Sequence, residues 1–169
     1  MSNRLLGEEH PDTLSTMDNL AMIYKSLEKY ADAERLQIQV MNMRNMLLGE
    51  KHPETISAMD NLAIIYESLG KYADAEKLQV HVVAMRNILL GEEHPDTISD
   101  INHLAITYVS LGKYVDAEKL QIQDLDMRKR LLGGEHSDTI GAMYSLVKTY
   151  QFLGKYADAE KLLIKALDV

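Results

Sequence analysis

The chain has 169 residues, of which 46% are hydrophobic and 26% charged, a composition typical of a folded globular protein. Its net charge of −8 argues against nucleic acids and anionic membrane surfaces as partners, because both are bound through clustered Lys and Arg. The absence of Cys excludes disulfides and thiolate metal sites. With no signal peptide and no long apolar run, we expect a cytoplasmic protein.

Close copies of one segment recur at a fixed interval of 42 residues, and residues 5–46 and 47–88 are identical at 29 of their 42 positions. Such a period predicts a stacked array in which no unit buries its own apolar face alone. We therefore expect a single repeat array over residues 1–169, with units at approximately 5–46, 47–88, 89–130 and 131–169. Residues 1–6 resemble the ends of later helices and are interpreted as the tail of a preceding helix.

Each repeat opens with a helix-start signal. His10-Pro11-Asp12-Thr13 in the first repeat returns with small changes in the others. Proline suits the first helical position, where an N–H would have no partner within the helix. The acid one residue later interacts favourably with the positive end of the helix dipole. We expect His10, His52, His94 and His136 to have a structural role at these helix starts rather than to bind metal.

The first helix of the first repeat carries one apolar stripe, formed by Leu14, Met17, Leu20, Ala21, Tyr24 and Leu27. Gly70, Gly112 and Gly154 end the first helix of their repeats, whereas the first repeat has Glu28. If this position requires a positive φ, Glu28 is strained.

The second helix begins near Tyr30 and places Ala33, Gln37 and Val40 on its inner side. Ala33 and its counterparts Ala75, Ala117 and Ala159 indicate a close approach of two helix backbones. Because the connections are only two to four residues long by this prediction, neighbouring helices run antiparallel. The chain is thus predicted to be all-α, with no strand pattern.

The order Leu-Ala-x-x-Tyr followed by Gly-x-Tyr-x-x-Ala resembles the tetratricopeptide repeat, with Met17, Met59, Ile101 and Met143 where that family often has Trp. The longer period and the segment Leu-Gly-Glu-x-His-Pro resemble the repeats of kinesin light chains. Near-identical tandem copies also resemble the repeat tails of NTPase sensor proteins. The resemblance implies a right-handed superhelical solenoid of antiparallel helix pairs, in which the first helices line a concave groove.

The resemblance also implies that this groove binds a peptide or helical segment of a partner protein, in an adaptor or in the sensor domain of a larger protein. The groove positions carried over are Ser15, Asp18, Asn19, Met22, Lys25, Asp60, Asn61, Ile64, Glu67, Asn102, His103, Ile106, Val109, Tyr144, Ser145, Lys148, Gln151 and Phe152. The same set of positions includes Ser26, Ser57, Ser68, Ser99, Ser110 and Gly141.

The chemistry of these groove positions favours a neutral or basic segment with an apolar anchor. Asp18, Asp60 and Glu67 make the groove acidic, and Tyr144 and Phe152 make its last part aromatic. Asn19 and Asn61 resemble family asparagines that bind a peptide backbone through their paired donor and acceptor.

The sequence contains no arrangement of nucleophile, base and orienting group, so we expect neither an enzyme nor a cofactor or metal site. An alternative hypothesis is a structural array. The last predicted helix carries Leu162, Leu163 and Leu167 with no polar capping helix after it, and such a surface favours homo-oligomers through terminal helices.

Overall fold

The computed structural model describes residues 10–168 and contains eight α-helices in this range. These are α1 (Pro11–Ser26), α2 (Tyr30–Leu48), α3 (Pro53–Ser68), α4 (Tyr72–Leu90), α5 (Pro95–Ser110), α6 (Tyr114–Leu132), α7 (Ser137–Phe152) and α8 (Tyr156–Leu167). No strand occurs among the described residues, which confirms the all-α fold of helix pairs. The predicted helix tail at residues 1–6 lies outside the described range.

The helix starts follow the sequence signals. At each odd-numbered helix a histidine is the N-cap, and its Nδ1 accepts a hydrogen bond at 3.2 Å from the backbone N–H two residues later. Proline follows at the first helical position of α1, α3 and α5, where its missing N–H leaves no donor without a partner. The predicted structural role of His10, His52, His94 and His136 is therefore confirmed.

A residue with positive φ follows each first helix, two residues after the last helical residue. Gly70, Gly112 and Gly154 have φ near 71°, and Glu28 has a φ of 59° at the same position. Glu28 is the one non-glycine residue with positive φ between residues 10 and 168, as the repeat alignment predicts. An L side chain is unfavourable in this conformation, so the first repeat carries local backbone strain.

The chain divides into two compact units, Met1–Arg86 and Asn87–Val169. In the first, α1 packs on α2 and α2 on α3. Its apolar cluster consists of Ile56, Met59 and Val82, with Met41 and Met85 packed against it. Small Ala33 and Ala75 are fully buried, as expected at points of close helix approach.

In the second unit, α5 packs on α6, α6 on α7 and α7 on α8. Its cluster is built from residues of α6, α7 and α8, namely Leu125, Ala142, Met143, Leu146, Val147, Ala159 and Leu162. Because these side chains come from successive repeats, each repeat completes the core of its neighbour within this unit.

Polar contacts also join successive repeats within each unit. Lys71 Nζ lies 2.7 Å from Glu34 Oε1, and Lys155 Nζ lies 2.6 Å from Glu118 Oε1. Each lysine also lies over the ring of a tyrosine in the preceding helix, Tyr66 or Tyr150. The tyrosines of this position are half-buried, as the predicted helix phase requires.

Candidate functional site

All the predicted groove residues lie on the first helices of the repeats, α1, α3, α5 and α7. None of the eighteen candidates named above is fully buried. The exposed ones are Ser15, Asn19, Ile106, Tyr144, Lys148, Gln151 and Phe152, and the half-buried ones are Asp18, Met22, Lys25, Asp60, Asn61, Ile64, Glu67, Asn102, His103, Val109 and Ser145. This partial exposure is compatible with a contact surface.

In the first unit, Asp18 is the centre of a polar network that joins three helices. Its Oδ1 accepts hydrogen bonds from Gln37 Nε2 at 2.8 Å and Asn61 Nδ2 at 3.0 Å. Its Oδ2 accepts one from Arg44 at 3.1 Å, and the Arg44 side chain is only 5% exposed. The same guanidinium donates to the backbone oxygen of Glu54. Both carboxylate oxygens of Asp18 are thus engaged inside the protein.

The other two groove carboxylates of this unit also have partners. Asp60 lies 3.7 Å from Arg86, and Glu67 Oε1 accepts a hydrogen bond from Gln79 at 2.8 Å. Arginines beside Asp18 and Asp60 offset two of the three charges that were expected to make the groove acidic. Asn61 likewise uses one of the two N–H donors of its side-chain amide on Asp18, so that N–H is not directed at a peptide backbone.

In the second unit the arginine has a different partner. Arg128 occupies the position of Arg44, but Asn102 replaces the carboxylate of Asp18. Arg128 Nε instead donates to Asp124 Oδ1 at 2.8 Å, one helical turn earlier in α6, where the first two repeats have valine. Burial raises the pKa of the Asp124 carboxyl, and hydrogen bonding to Arg128 partly lowers it again. The carboxylate that pairs with this arginine thus comes from a first helix, α1, in the first unit and from a second helix, α6, in the second unit.

An open polar pocket of about 280 Å³ lies between α5, α6 and α7, beside the Arg128–Asp124 pair. Its walls include Asn102 and Ser145, which are predicted groove residues, together with Gly141, Asp124 and Arg128. At the matching positions of the first unit, Ser57 and Asn61 are larger than Gly141 and Ser145. The smaller side chains leave space that the first unit fills with its hydrogen-bond network.

The aromatic part of the predicted groove lies on α7. Tyr144 is 45% exposed and Phe152 is 61% exposed. One face of Phe152 stacks on Tyr114 of α6, with ring centroids 4.8 Å apart and an interplanar angle of 9°. The other repeats have serines here, whose hydroxyls donate to carbonyl oxygens of their own helices. The last repeat therefore presents an exposed aromatic surface that the other three lack at this position.

Sequence reasoning did not identify Arg44, Asp124 and Arg128 as residues that shape the groove. Arg44 and Arg128 belong to a set of arginines that recurs at one position of the second helix in the first three repeats, on the inner side that also carries Ala33, Gln37 and Val40. A charged residue at a fixed position of a buried stripe requires a partner, which is the signal that could have revealed the network.

Among residues 10–168, no three His, Asp or Glu side chains lie close enough together to hold a metal ion. Within the same residues, no helix is long and apolar enough to cross a membrane.

Comparison with known proteins places these features in a family. A family model described as "Tetratricopeptide repeat" matches residues 16–88 and 97–169, which together make up most of the chain. No curated protein matches the sequence.

Solved structures of similar repeats cover nearly the whole chain. A structure of putative kinesin light chain nearly identical TPR-like repeats from Podosopora anserina is 27% identical, with a TM-score of 0.87 over 98% of this chain and 78% of that one. BtubC (BKLC) from P. vanneervenii is 21% identical, with a TM-score of 0.87 over 98% of this chain and 66% of that one. MamA is 16% identical, with a TM-score of 0.68 over 94% of this chain and 78% of that one. The last two show the fold alone.

Proposed function

Because the chain belongs to the tetratricopeptide repeat family, with repeats similar to those of the kinesin light chain type, we propose that it binds a segment of a partner protein along its first helices. Repeats of this family generally mediate interactions between proteins. The peptide or helical segment would contact the surface formed by α5 and α7, in an adaptor or in the repeat domain of a larger protein.

The observation that carries this proposal is the combination on α5 and α7 of an open polar pocket with exposed aromatic rings. Tyr144 precedes the pocket residue Ser145 in α7, and Phe152 lies two turns further along the same helix. Aromatic anchors beside polar pockets are typical of binding sites for polypeptides. Packing alone does not require an exposed Phe152 where the other three repeats have serine.

The proposal describes a binding protein without catalytic activity, cofactor or metal. The acidic composition favours a protein partner over nucleic acid or a membrane surface. A cytoplasmic location is part of the proposal, because a chain without Cys needs no oxidising compartment for its stability.

A pull-down followed by mass spectrometry tests this function. We expect partners retained by the wild-type chain to be lost with the combined substitutions Tyr144→Ala and Phe152→Ser, the second of which restores the residue of the other repeats. Val115→Ala is the control, because it trims an exposed side chain on α6 to the residue of the other repeats. Equal retention by all three proteins would contradict the proposal.

One observation favours self-association as a second candidate function. Leu125 of α6 is 4% exposed because α7 covers it, whereas Leu167, the same position in α8, is 78% exposed. A second copy of the chain could cover α8 in the way that α7 covers α6. Light scattering tests this candidate: Leu167→Asp should convert a dimer to a monomer, whereas a wild-type chain that stays monomeric at high concentration would contradict it.

A further inference from the structure

The pocket between α5, α6 and α7 carries a net negative charge. Asp124 and Asp138 supply two carboxylates to its lining, and Arg128 supplies one guanidinium. Arg128 lies 2.8 Å from Asp124 and 3.7 Å from Asp138, so its charge is shared between them. Among the described residues that line the pocket, the two carboxylates therefore exceed the one guanidinium by one negative charge.

One carboxylate oxygen of Asp124 remains available. The Asp124 side chain is 3% exposed, and its Oδ1 accepts the hydrogen bond from Arg128. Its Oδ2 accepts no hydrogen bond from any residue in the range 10–168, although Asp124 lines the pocket. A guest donor that enters the pocket could form a charge-assisted hydrogen bond with this carboxylate.

At the matching place in the first unit, both oxygens of the carboxylate are engaged by hydrogen bonds within the protein. There, Asp18 receives three hydrogen bonds, from Gln37, Asn61 and Arg44. In the second unit the amide donor of Asn61 is replaced by Ser145, and Asn102 replaces Asp18. The side-chain amide of Asn61, which donates to Asp18 in the first unit, therefore has no counterpart in the second unit, and the pocket lies where that amide would be.

A second pocket, of about 440 Å³, adjoins the first through Arg128 and Asp138. It is lined by apolar side chains, chiefly Ile98, Leu131 and Leu132. Leu131 and Leu132 are 47% and 45% exposed, so a guest could bury apolar surface against them. A polar pocket beside an apolar one favours a guest with neighbouring polar and aliphatic groups.

We propose that the pocket lined by Asn102, Asp124 and Ser145 accepts the cationic side chain of a Lys or Arg from the bound segment, with an aliphatic residue of that segment in the adjoining pocket. This inference rests on the proposed function and specifies the partner chemistry. The guest cation donates to Asp124 Oδ2 and balances Asp138 at the mouth. An acidic guest is disfavoured, because Arg128 is already engaged by two carboxylates and a third would add repulsion.

Selection from a phage-displayed random dodecapeptide library tests the inference. The wild-type chain serves as bait, and a synthetic fluorescent copy of the strongest binder is then titrated in anisotropy measurements. We expect selected peptides to share a Lys or Arg next to an aliphatic residue. Replacing that Lys by norleucine, or Arg by citrulline, should weaken binding by roughly tenfold or more.

Two variants of the chain test the pocket in different ways. Asp124→Asn removes the charge and keeps the shape, whereas Ser145→Asn restores the residue of the first two repeats and fills the space. Both should weaken the cationic peptide by roughly tenfold or more and should barely change the norleucine or citrulline peptide. Asp116→Asn is the matched control, because it removes the same charge from an exposed position of α6 and should leave affinity unchanged. Circular dichroism checks that each variant is folded.

The outcomes separate the inference from the function on which it rests. Selected peptides without Lys or Arg, or a cationic peptide that binds Asp124→Asn and Ser145→Asn as tightly as the wild type, would overturn the inference and leave the peptide-binding function standing. Failure of the wild-type chain to select or bind any peptide would contradict both.

Discussion

Glu28 shows at the residue scale how one departure from the repeat affects stability. Its φ of 59° is the conformation that glycine adopts at the same position in the other three repeats. We predict that Glu28→Gly raises the free energy of unfolding by roughly 0.5–1 kcal/mol, because relief of the side-chain strain exceeds the entropy that glycine adds to the unfolded chain. Urea denaturation measures the change.

Gly70→Ala is the matched control for this prediction. A Cβ at Gly70 would meet no atom within 4 Å, so a loss of stability would reflect the strained backbone conformation rather than a steric clash. We expect this variant to be less stable than the wild type. A Glu28→Gly variant less stable than the wild type would show that the positive φ at this position is not costly.

Asp18 and Asn102 occupy the same position but should differ in their contribution to stability. Asp18→Ala leaves the buried Arg44 without its closest carboxylate, with only Glu54 Oε2 at 3.6 Å, and should cost about 2–4 kcal/mol. Asn102→Ala leaves the Arg128–Asp124 pair intact and should cost less than about 1 kcal/mol. Urea denaturation of the two variants compares the costs, and equal losses would show that Arg44 does not depend on Asp18.

The ionisation of Asp124 should be visible in the pH dependence of stability. Burial raises the pKa of its carboxyl, with Asp138 adding to the rise and Arg128 opposing it. Because the folded pKa lies above the unfolded value, the stabilisation by the bound proton is full below the unfolded pKa and is lost as pH rises through the folded pKa. We predict that the free energy of unfolding of the wild type, relative to that of Asp124→Asn, falls as pH rises from the unfolded pKa of this carboxyl to its folded pKa.

Urea denaturation of both proteins between about pH 3 and pH 7 measures this difference, since groups that do not interact with Asp124 titrate alike in both proteins. A relative stability that rises with pH would mean that Arg128 outweighs burial and lowers the pKa of Asp124.

The histidine caps and the strain at Glu28 could be predicted from the sequence, because both depend on contacts within a few residues. The partners of Asp18 could not. Its hydrogen bonds with Gln37, Arg44 and Asn61 join positions 19 to 43 residues apart, and the spacing of polar residues does not fix which pairs meet.

At the scale of helices, α6 and α8 occupy the same place in their repeats but have different surroundings. Leu125 is packed in the core of the second unit, whereas Leu167 is mostly exposed. We predict that Leu125→Ala costs about 2–4 kcal/mol and Leu167→Ala less than about 0.5 kcal/mol. Urea denaturation at low protein concentration measures both losses.

A large loss for Leu167→Ala would contradict this prediction. If that loss appeared only at high protein concentration, it would instead indicate that α8 is covered by a second copy, as the self-association candidate requires.

Helix boundaries were the most predictable feature at this scale. A histidine marks the start of the first helix in every repeat, a proline follows it in the first three repeats, and Tyr30 is the first residue of α2 as expected. The family resemblance supplied the groove residues, and all of them lie on the first helices. It could not show the pocket on α5–α7, because that space results from several small changes, at Gly141 and Ser145 among others, whose effect depends on packing.

At the scale of the whole molecule, near-identical repeats form similar helix pairs whose first helices differ most in the last two repeats. The single array over residues 1–169 remains a prediction, since the structure is described as two compact units. The proposed binding surface lies within the second unit and does not depend on the junction between them.

Mapping a bound peptide by NMR tests the central claim most directly. The ¹⁵N-labelled chain is titrated with the strongest peptide from the library selection. The account predicts shifts concentrated on α5 and α7, at Asn102, Tyr144 and Ser145 above all. Shifts confined to exposed positions of the second helices, such as Val115 in α6 and Glu160 in α8, would contradict it.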